Sequence, residues 1–269
     1  MVATDKVFAG SIPEMYDRLM VPLIFEPYAR DLAERVAAMQ PRQVLETAAG
    51  TGVVTRALAS HLPAEARIIA TDLNPPMLEY AARRLQIERV EWKQADALAL
   101  PFDDLSFDAV VCQFGAMFFP DKTQGYREAH RVLKPGGQFF FNVWDRIEAN
   151  EFADVVTQAL AEVFPDDPPR FMARTPHGYH DETQIRAELH AAGFANVSAE
   201  VVEAHSRAPS PLEAAVAYCQ GTPLRNEIET RDPSGLEAAT KRVAEALVGR
   251  FGSGPVDGRI RAIVFMATR

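Results

Sequence analysis

Between residues 42 and 145 short apolar runs alternate with helix-patterned stretches, and no feature of the chain restricts its fold more. RQVLETA is followed by VVTRALASHL, ARIIATDL by PPMLEYAARRLQ, and FDAVVCQF by KTQGYREAHRVL; VEWKQADA leads into a loop, and GGQFFFNVW closes the series. The apolar runs are nearly continuous instead of alternating with polar residues. A strand reads that way when helices cover both faces of its sheet, because neither face meets water. Strand and helix repeating at roughly 25-residue intervals predict a doubly wound α/β fold with a parallel sheet. Asn74-Pro75 predicts a helix N-cap followed by proline at the first helical position. Lys134-Pro135-Gly136-Gly137 predicts a helix end that turns into the next strand.

Two regions lie outside this rhythm. Residues 12–39 read as helical, with breaks near Pro22 and Pro27. Residues 146–258 are mixed: helices in ANEFADVVTQALAEVF, DETQIRAELHAAGF, SPLEAAVAYCQ and SGLEAATKRVAEALVGRF, a proline-rich connector from Pro165 to Pro176, and a strand in NVSAEVVEAHS. GRIRAIVFMAT predicts a last strand. The formal net charge of −9 argues against a nucleic-acid partner, since phosphate binding needs a basic face. Cys112 and Cys219 are the only cysteines, too few for a disulfide framework or a cysteine metal site, so a reducing, cytoplasmic setting is expected. Met1 to Gly10 lacks the charge-then-apolar order of a signal peptide. The richest apolar run, AVVCQFGAMFF, is short and broken by Gln113 and Gly115, so no membrane span is expected.

The turn after the first strand carries the chemistry. In VLETAAGTGVVT small residues crowd a strand-to-helix junction, where α/β proteins present backbone N–H groups to a ligand. A tight turn without a ligand is the plain alternative. A P-loop is excluded, because G-x-x-x-x-G-K-[ST] does not occur. A dinucleotide site prefers G-x-G-x-x-G, and here Thr55 stands where the third glycine would be. None of the six tyrosines has lysine four residues on, so a short-chain dehydrogenase pair is also missing. The third class is S-adenosylmethionine. Asp72 ends the second strand and suits two ribose hydroxyls, which NAD and S-adenosylmethionine both have. Asp96-Ala97, ending the third strand, suits an adenine amino group, with Leu73, Met77 and Leu98 placed to sandwich the ring.

The segments VLETAAGTG, ATDLNPPML, QADALALPFDDLSFDAVVCQFGAMFF and EAHRVLKPGGQFFFNVWD together resemble the successive motifs of class I S-adenosylmethionine-dependent methyltransferases, in order and spacing over residues 42–145. The subgroup they resemble includes the ubiquinone/menaquinone-biosynthesis methyltransferases. The resemblance implies a seven-stranded, mostly parallel Rossmann-like sheet with N-terminal helices and a helical insert near the C-terminus. It divides the chain into a helical cap (1–40), a cofactor-binding core (41–146), the rest of the core with substrate-cap inserts (147–258) and a final strand (259–269). It also assigns roles: Glu46, Ala48 and Gly50 to the methionyl part, Asp72 to the ribose, Leu73 and Met77 to the adenine face. Asp96 and Ala97 go to the adenine edge, and Gln113 and Phe114 beside the transferring methyl. Many relatives carry glycine where this chain has Thr47 or Ala48-Ala49. Asn74-Pro75-Pro76-Met77 imitates the tetrad of amino-methylases, but it follows the second strand instead of the fourth and lacks the final aromatic.

Methyl transfer from a sulfonium is an in-line displacement with a neutral leaving group, so alignment supplies much of the catalysis. His177, His180, His205, Tyr16, Tyr28 and Tyr218 are candidate polar groups, but none is assigned as a base, and no metal is expected. Met15, Tyr16, Phe25 and Tyr28 are expected to close over the cofactor, and residues 164–179 and 210–251 to roof a small, apolar or aromatic acceptor such as a quinol or phenol. Two rivals stay open: a non-catalytic S-adenosylmethionine-binding protein and an NAD-linked oxidoreductase.

Overall fold

A computed structural model describes residues 12–269, so the reading of Met1 to Gly10 lies outside the described residues. The strands are β1 (Gln43–Glu46), β2 (Arg67–Asp72), β3 (Val90–Gln94), β4 (Phe107–Gln113), β5 (Leu133–Trp144), β6 (Asn196–Ala208) and β7 (Val256–Thr268). They form one seven-stranded sheet in the order β3-β2-β1-β4-β5-β7-β6. The pairs β1/β2, β1/β4, β2/β3 and β4/β5 are parallel. β7 runs against β5: Arg269 exchanges backbone hydrogen bonds with Gly136 and Gly137, while Asp145 N–H reaches Arg261 O. The sheet is therefore mostly parallel and doubly wound, as the apolar runs predict.

The helices are α1 (Ile12–Met15), α2 (Glu26–Ala37), α3 (Val53–His61), α4 (Pro75–Arg84), α5 (Lys122–Val132), α6 (Glu151–Val163), α7 (Phe171–Arg174), α8 (Glu182–Ala191), α9 (Pro211–Gln220), α10 (Leu224–Arg231) and α11 (Leu236–Phe251). Tyr16–Phe25 is π-helical and contains Pro22. Pro22 thus changes the winding of the helix instead of ending it, and Pro27 follows where the π-helical stretch passes directly into α2, so neither proline breaks the run. The proline-rich connector holds the short α7, and α10 is a further helix that the sequence pattern did not separate.

Two compact units share the chain. One comprises Glu26–Val143, His180–Val202 and Ile263–Arg269. Its core holds a run of stacked rings, Phe139 on Phe141 at 4.7 Å and Phe141 on Phe265 at 5.0 Å, with Tyr126 tilted 5.3 Å from Phe141. Such offset pairs add to the burial of large apolar area. The other comprises the described residues up to Phe25, with Trp144–Tyr179 and Glu203–Ala262. There α6, α9 and α11 pack together around Phe152, Tyr218 and Leu247, all buried.

The Lys134–Gly137 segment differs from expectation. α5 ends at Val132 and β5 begins at once, so the segment is an irregularity inside the β4/β5 ladder between Phe107 and Ala109, not a separate turn. Gly136 takes φ 80°, and a Cβ on Gly137 would stand 2.9 Å from Lys134 O, so glycine is needed at both. Asp108 closes this bulge: its Oδ1 meets Lys134 Nζ at 2.7 Å and its Oδ2 accepts the N–H groups of Arg42 and Gln43.

Candidate active site

The strand order reverses between β1 and β4, and in open α/β sheets ligands bind beyond the carboxyl ends of the strands at that point. The predicted turn lies there. β1 delivers Glu46, three residues of the turn are left-handed (Ala48 φ 54°, Gly50 φ 57°, Gly52 φ 84°), and α3 begins at Val53. The two glycines serve different ends. A Cβ on Gly52 would stand 2.6 Å from Leu85 Cδ1 and 2.9 Å from Trp92 Cη2, so Gly52 lets α3 seat against α4 and β3. A Cβ on Gly50 would meet only Met77 Cε at 3.7 Å, so the space above this backbone is open to a ligand.

Asp72 holds the turn from β2. Its Oδ2 accepts Gly50 N–H at 2.8 Å and its Oδ1 accepts Asn74 N–H at 2.7 Å. Asn74 occupies the N-cap position of α4, but its side chain donates to Asp72 Oδ1 and makes no capping bond, contrary to expectation. Asp72 is 6% exposed, and burial raises its carboxyl above the usual range against the bonds from Asn74 and Gly50.

Glu46 is 2% exposed, and burial pushes its carboxyl up to about 8; the hydrogen bond from Thr55 opposes that and the charge of Asp72 adds to it. Thr55 Oγ1 donates to Glu46 Oε2 at 2.6 Å. The residue that breaks the dinucleotide glycine pattern is therefore engaged with the acidic residue that opens the turn. Thr51, between the two glycines, has a buried Oγ1 with no partner among the described residues. An orphaned hydroxyl, an open glycine and a buried carboxylate with no cation beside it among the described residues fit a ligand carrying hydroxyl, carboxylate and ammonium groups.

At the end of β4, Phe114 is left-handed (φ 49°), and its N–H donates to Asn142 Oδ1 at 2.9 Å. Asn142 Nδ2 is buried and has no partner among the described residues. Tyr28 stands edge-on to Phe114, with centroids 5.4 Å apart; it is fully buried and its hydroxyl donates to Val202 O at 3.3 Å. Tyr28 thus reaches the strand end through Phe114. Gln113, just before Phe114, is half-buried.

The structure brings Glu46, Ala48, Gly50, Asp72 and Met77 together around the turn. Ala95 N–H donates to Asp72 O, which sets the start of the Asp96-Ala97 turn beside the end of β2. Asp96 is exposed and accepts Leu98 N–H at 2.9 Å, and Leu73 is 45% exposed, available to an aromatic ring. Tyr16 belongs to the other unit and stacks on Phe25 at 5.1 Å. His177 is buried with Nδ1 2.8 Å from Asp145 O, His205 is exposed and paired with Asp257, and Tyr218 is buried. Among the described residues no three His, Cys, Asp or Glu side chains group to hold a metal ion. No described helix is long and apolar enough to cross a membrane. Sequence reasoning missed Thr51, Thr55 and Asn142. Thr55 had a signal, its place three residues after Gly52, which was read only as a missing glycine.

Residues 44–137 match the family described as methyltransferase domain. A demethylmenaquinone methyltransferase of Deinococcus radiodurans is 36% identical over 51% of this chain and 58% of its own length. A ubiquinone/menaquinone biosynthesis C-methyltransferase of Xylella fastidiosa is 32% identical over 61% of this chain and 72% of its own. The chain thus spans a little under three-fifths of the first relative and nearly three-quarters of the second. Among solved structures, a Haemonchus contortus phosphoethanolamine N-methyltransferase in complex with S-adenosylhomocysteine superposes with TM-score 0.63 at 17% identity, over 100% of this chain and 61% of that one. That likeness is one of fold.

Proposed function

The chain belongs to the family of S-adenosylmethionine-dependent methyltransferases, and from that premise we propose that it methylates a small apolar or aromatic molecule, a quinol-type ring foremost, by direct in-line transfer. One observation carries the reading: a turn of left-handed residues, pinned by Asp72 and open above Gly50, lies over a buried Glu46 that has no cation beside it among the described residues. S-adenosylmethionine, the cofactor of this family, supplies when bound a methyl carbon on a sulfonium whose departure leaves a neutral thioether. The rest is positioning by the protein. Glu46 takes the ammonium, Thr51 offers its hydroxyl to the amino-acid end, and Gly50 admits the chain to its backbone. Asp72 orients the ribose while Leu73 and Met77 flank the adenine, with Asp96 and Ala97 at its edge.

Gln113 and Phe114 stand where the methyl would be delivered. Phe114, fixed by Asn142 and backed by Tyr28, offers an apolar wall that keeps water from the reacting carbon. The relatives' names point to a quinone ring as acceptor, which suits that wall. The test is calorimetric titration with S-adenosylmethionine, then mass spectrometry of products from quinols, phenols and amines. Binding with ring methylation of a quinol is expected; methylation confined to amines would overturn the acceptor class.

A further inference from the structure

We propose that Thr55 is a positioning residue: its hydroxyl holds Glu46 aimed and ready to ionise, so that the cofactor's ammonium can complete a charge pair that the protein itself leaves open. The inference rests on the cofactor reading above and extends it to a residue three positions beyond the glycine turn.

Thr55 is 0% exposed on the first turn of α3, and Glu46 ends β1, so neither side chain can exchange its partner for water. The 2.6 Å contact between them is a charge-assisted bond when Glu46 is ionised. The titratable groups bearing on Glu46 from its neighbours are Asp72 on β2 and Cys112 on β4. Asp72 is an acid, and the Cys112 thiol is pushed up to about 11 by burial, so neither supplies a positive charge. Arg56, next to Thr55 on α3, pairs outward with Glu26. Among the described residues Glu46 therefore meets donors from Thr55 alone, its hydroxyl and its backbone N–H, and no cation; Thr55→Val removes the first and keeps the second. Ligand-free, it keeps its proton up to about pH 8; an arriving ammonium displaces that proton. Cofactor uptake then releases a proton, and Thr55 lowers the cost of that release.

The test uses the full chain, wild type, Thr55→Val and Thr55→Ser, titrated with S-adenosylhomocysteine and with methylthioadenosine, which lacks the amino-acid end. Titrations span pH of about 6 to 9, in two buffers of different ionisation enthalpy. For the wild type, S-adenosylhomocysteine binding is expected to tighten as pH rises and to show a buffer-dependent enthalpy from proton release. Thr55→Val is expected to weaken it by ~10-fold or more at neutral pH, less at alkaline pH, with Thr55→Ser close to wild type. Methylthioadenosine affinity should be the same for all three. Equal losses for both ligands would show that Thr55 merely supports the turn, and an unchanged affinity for S-adenosylhomocysteine would remove Thr55 from the site; either overturns the proposal. A wild type that binds neither ligand sinks the cofactor reading itself, and the proposal with it.

Discussion

In the role proposed for Glu46, its burial sets cofactor capture against stability within a single residue. Its folded carboxyl lies near 8 against an ordinary 4.5, so the folded state holds a proton that the unfolded state gives up. The group's contribution is complete below about pH 4.5 and is lost as pH rises towards 8. Glu46→Gln keeps the shape and an acceptor for Thr55 without the charge. It is expected to raise ligand-free stability at pH 8 by at least ~1 kcal/mol in urea melts and to abolish S-adenosylhomocysteine binding by calorimetry. Ala48 presents the opposite case: it is an L-residue at φ 54°, and its Cβ would stand 2.5 Å from a Cβ on Gly115. Ala48→Gly relieves the left-handed backbone and should stabilise the fold by ~1 kcal/mol, read as a rise in urea midpoint. The acid-x-small-x-Gly-x-Gly run was plain in the sequence because each of its residues stands for a local backbone demand. The Thr55–Glu46 and Asn142–Phe114 pairs were not, since they join residues 9 and 28 positions apart whose meeting depends on the packing of α3 and on the β4/β5 register.

Among the elements, the five central strands were legible because burial on both faces writes a continuous apolar run, as in FDAVVCQ. β6 was legible by another signal. At the edge of the sheet it alternates exposed and half-buried positions, and Glu200, Glu203, His205 and Arg207 place charge along it. Charged side chains on an edge strand discourage pairing with another chain. The β4/β5 bulge was illegible, since Lys-Pro-Gly-Gly spells a turn whether or not a ladder continues through it. Asp108 ties that bulge to the start of β1. Burial works against its ionisation, but Lys134 and two backbone N–H groups outweigh that and hold its carboxyl below the usual range. Asp108→Ala leaves two N–H groups and an ammonium without their acceptor. A loss of ~1–3 kcal/mol is expected in urea melts. In wild type the contribution of Asp108 is present above the ordinary carboxylate range and lost as pH falls through its lowered value, so the gap between the two proteins should narrow in acid.

For the whole molecule, ligand and fold are linked by mass action. S-adenosylhomocysteine at about a hundred times its dissociation constant should add ~2.7 kcal/mol, a rise in melting temperature that Asp72→Ala removes. Because Asp72 Oδ2 also holds Gly50 N–H, this variant should melt lower without ligand too, so both temperatures are to be measured. Sheet order has a temporal side as well. β7 lies between β5 and β6, yet the chain makes it last of the three. Until those final strand residues arrive, β5 shows an open rim and β6 has no neighbour to join, so sheet closure is a late event reached across a long stretch of chain. A nascent or refolding molecule passes through a stage with two unsealed seams, and that stage is where self-association will compete with folding.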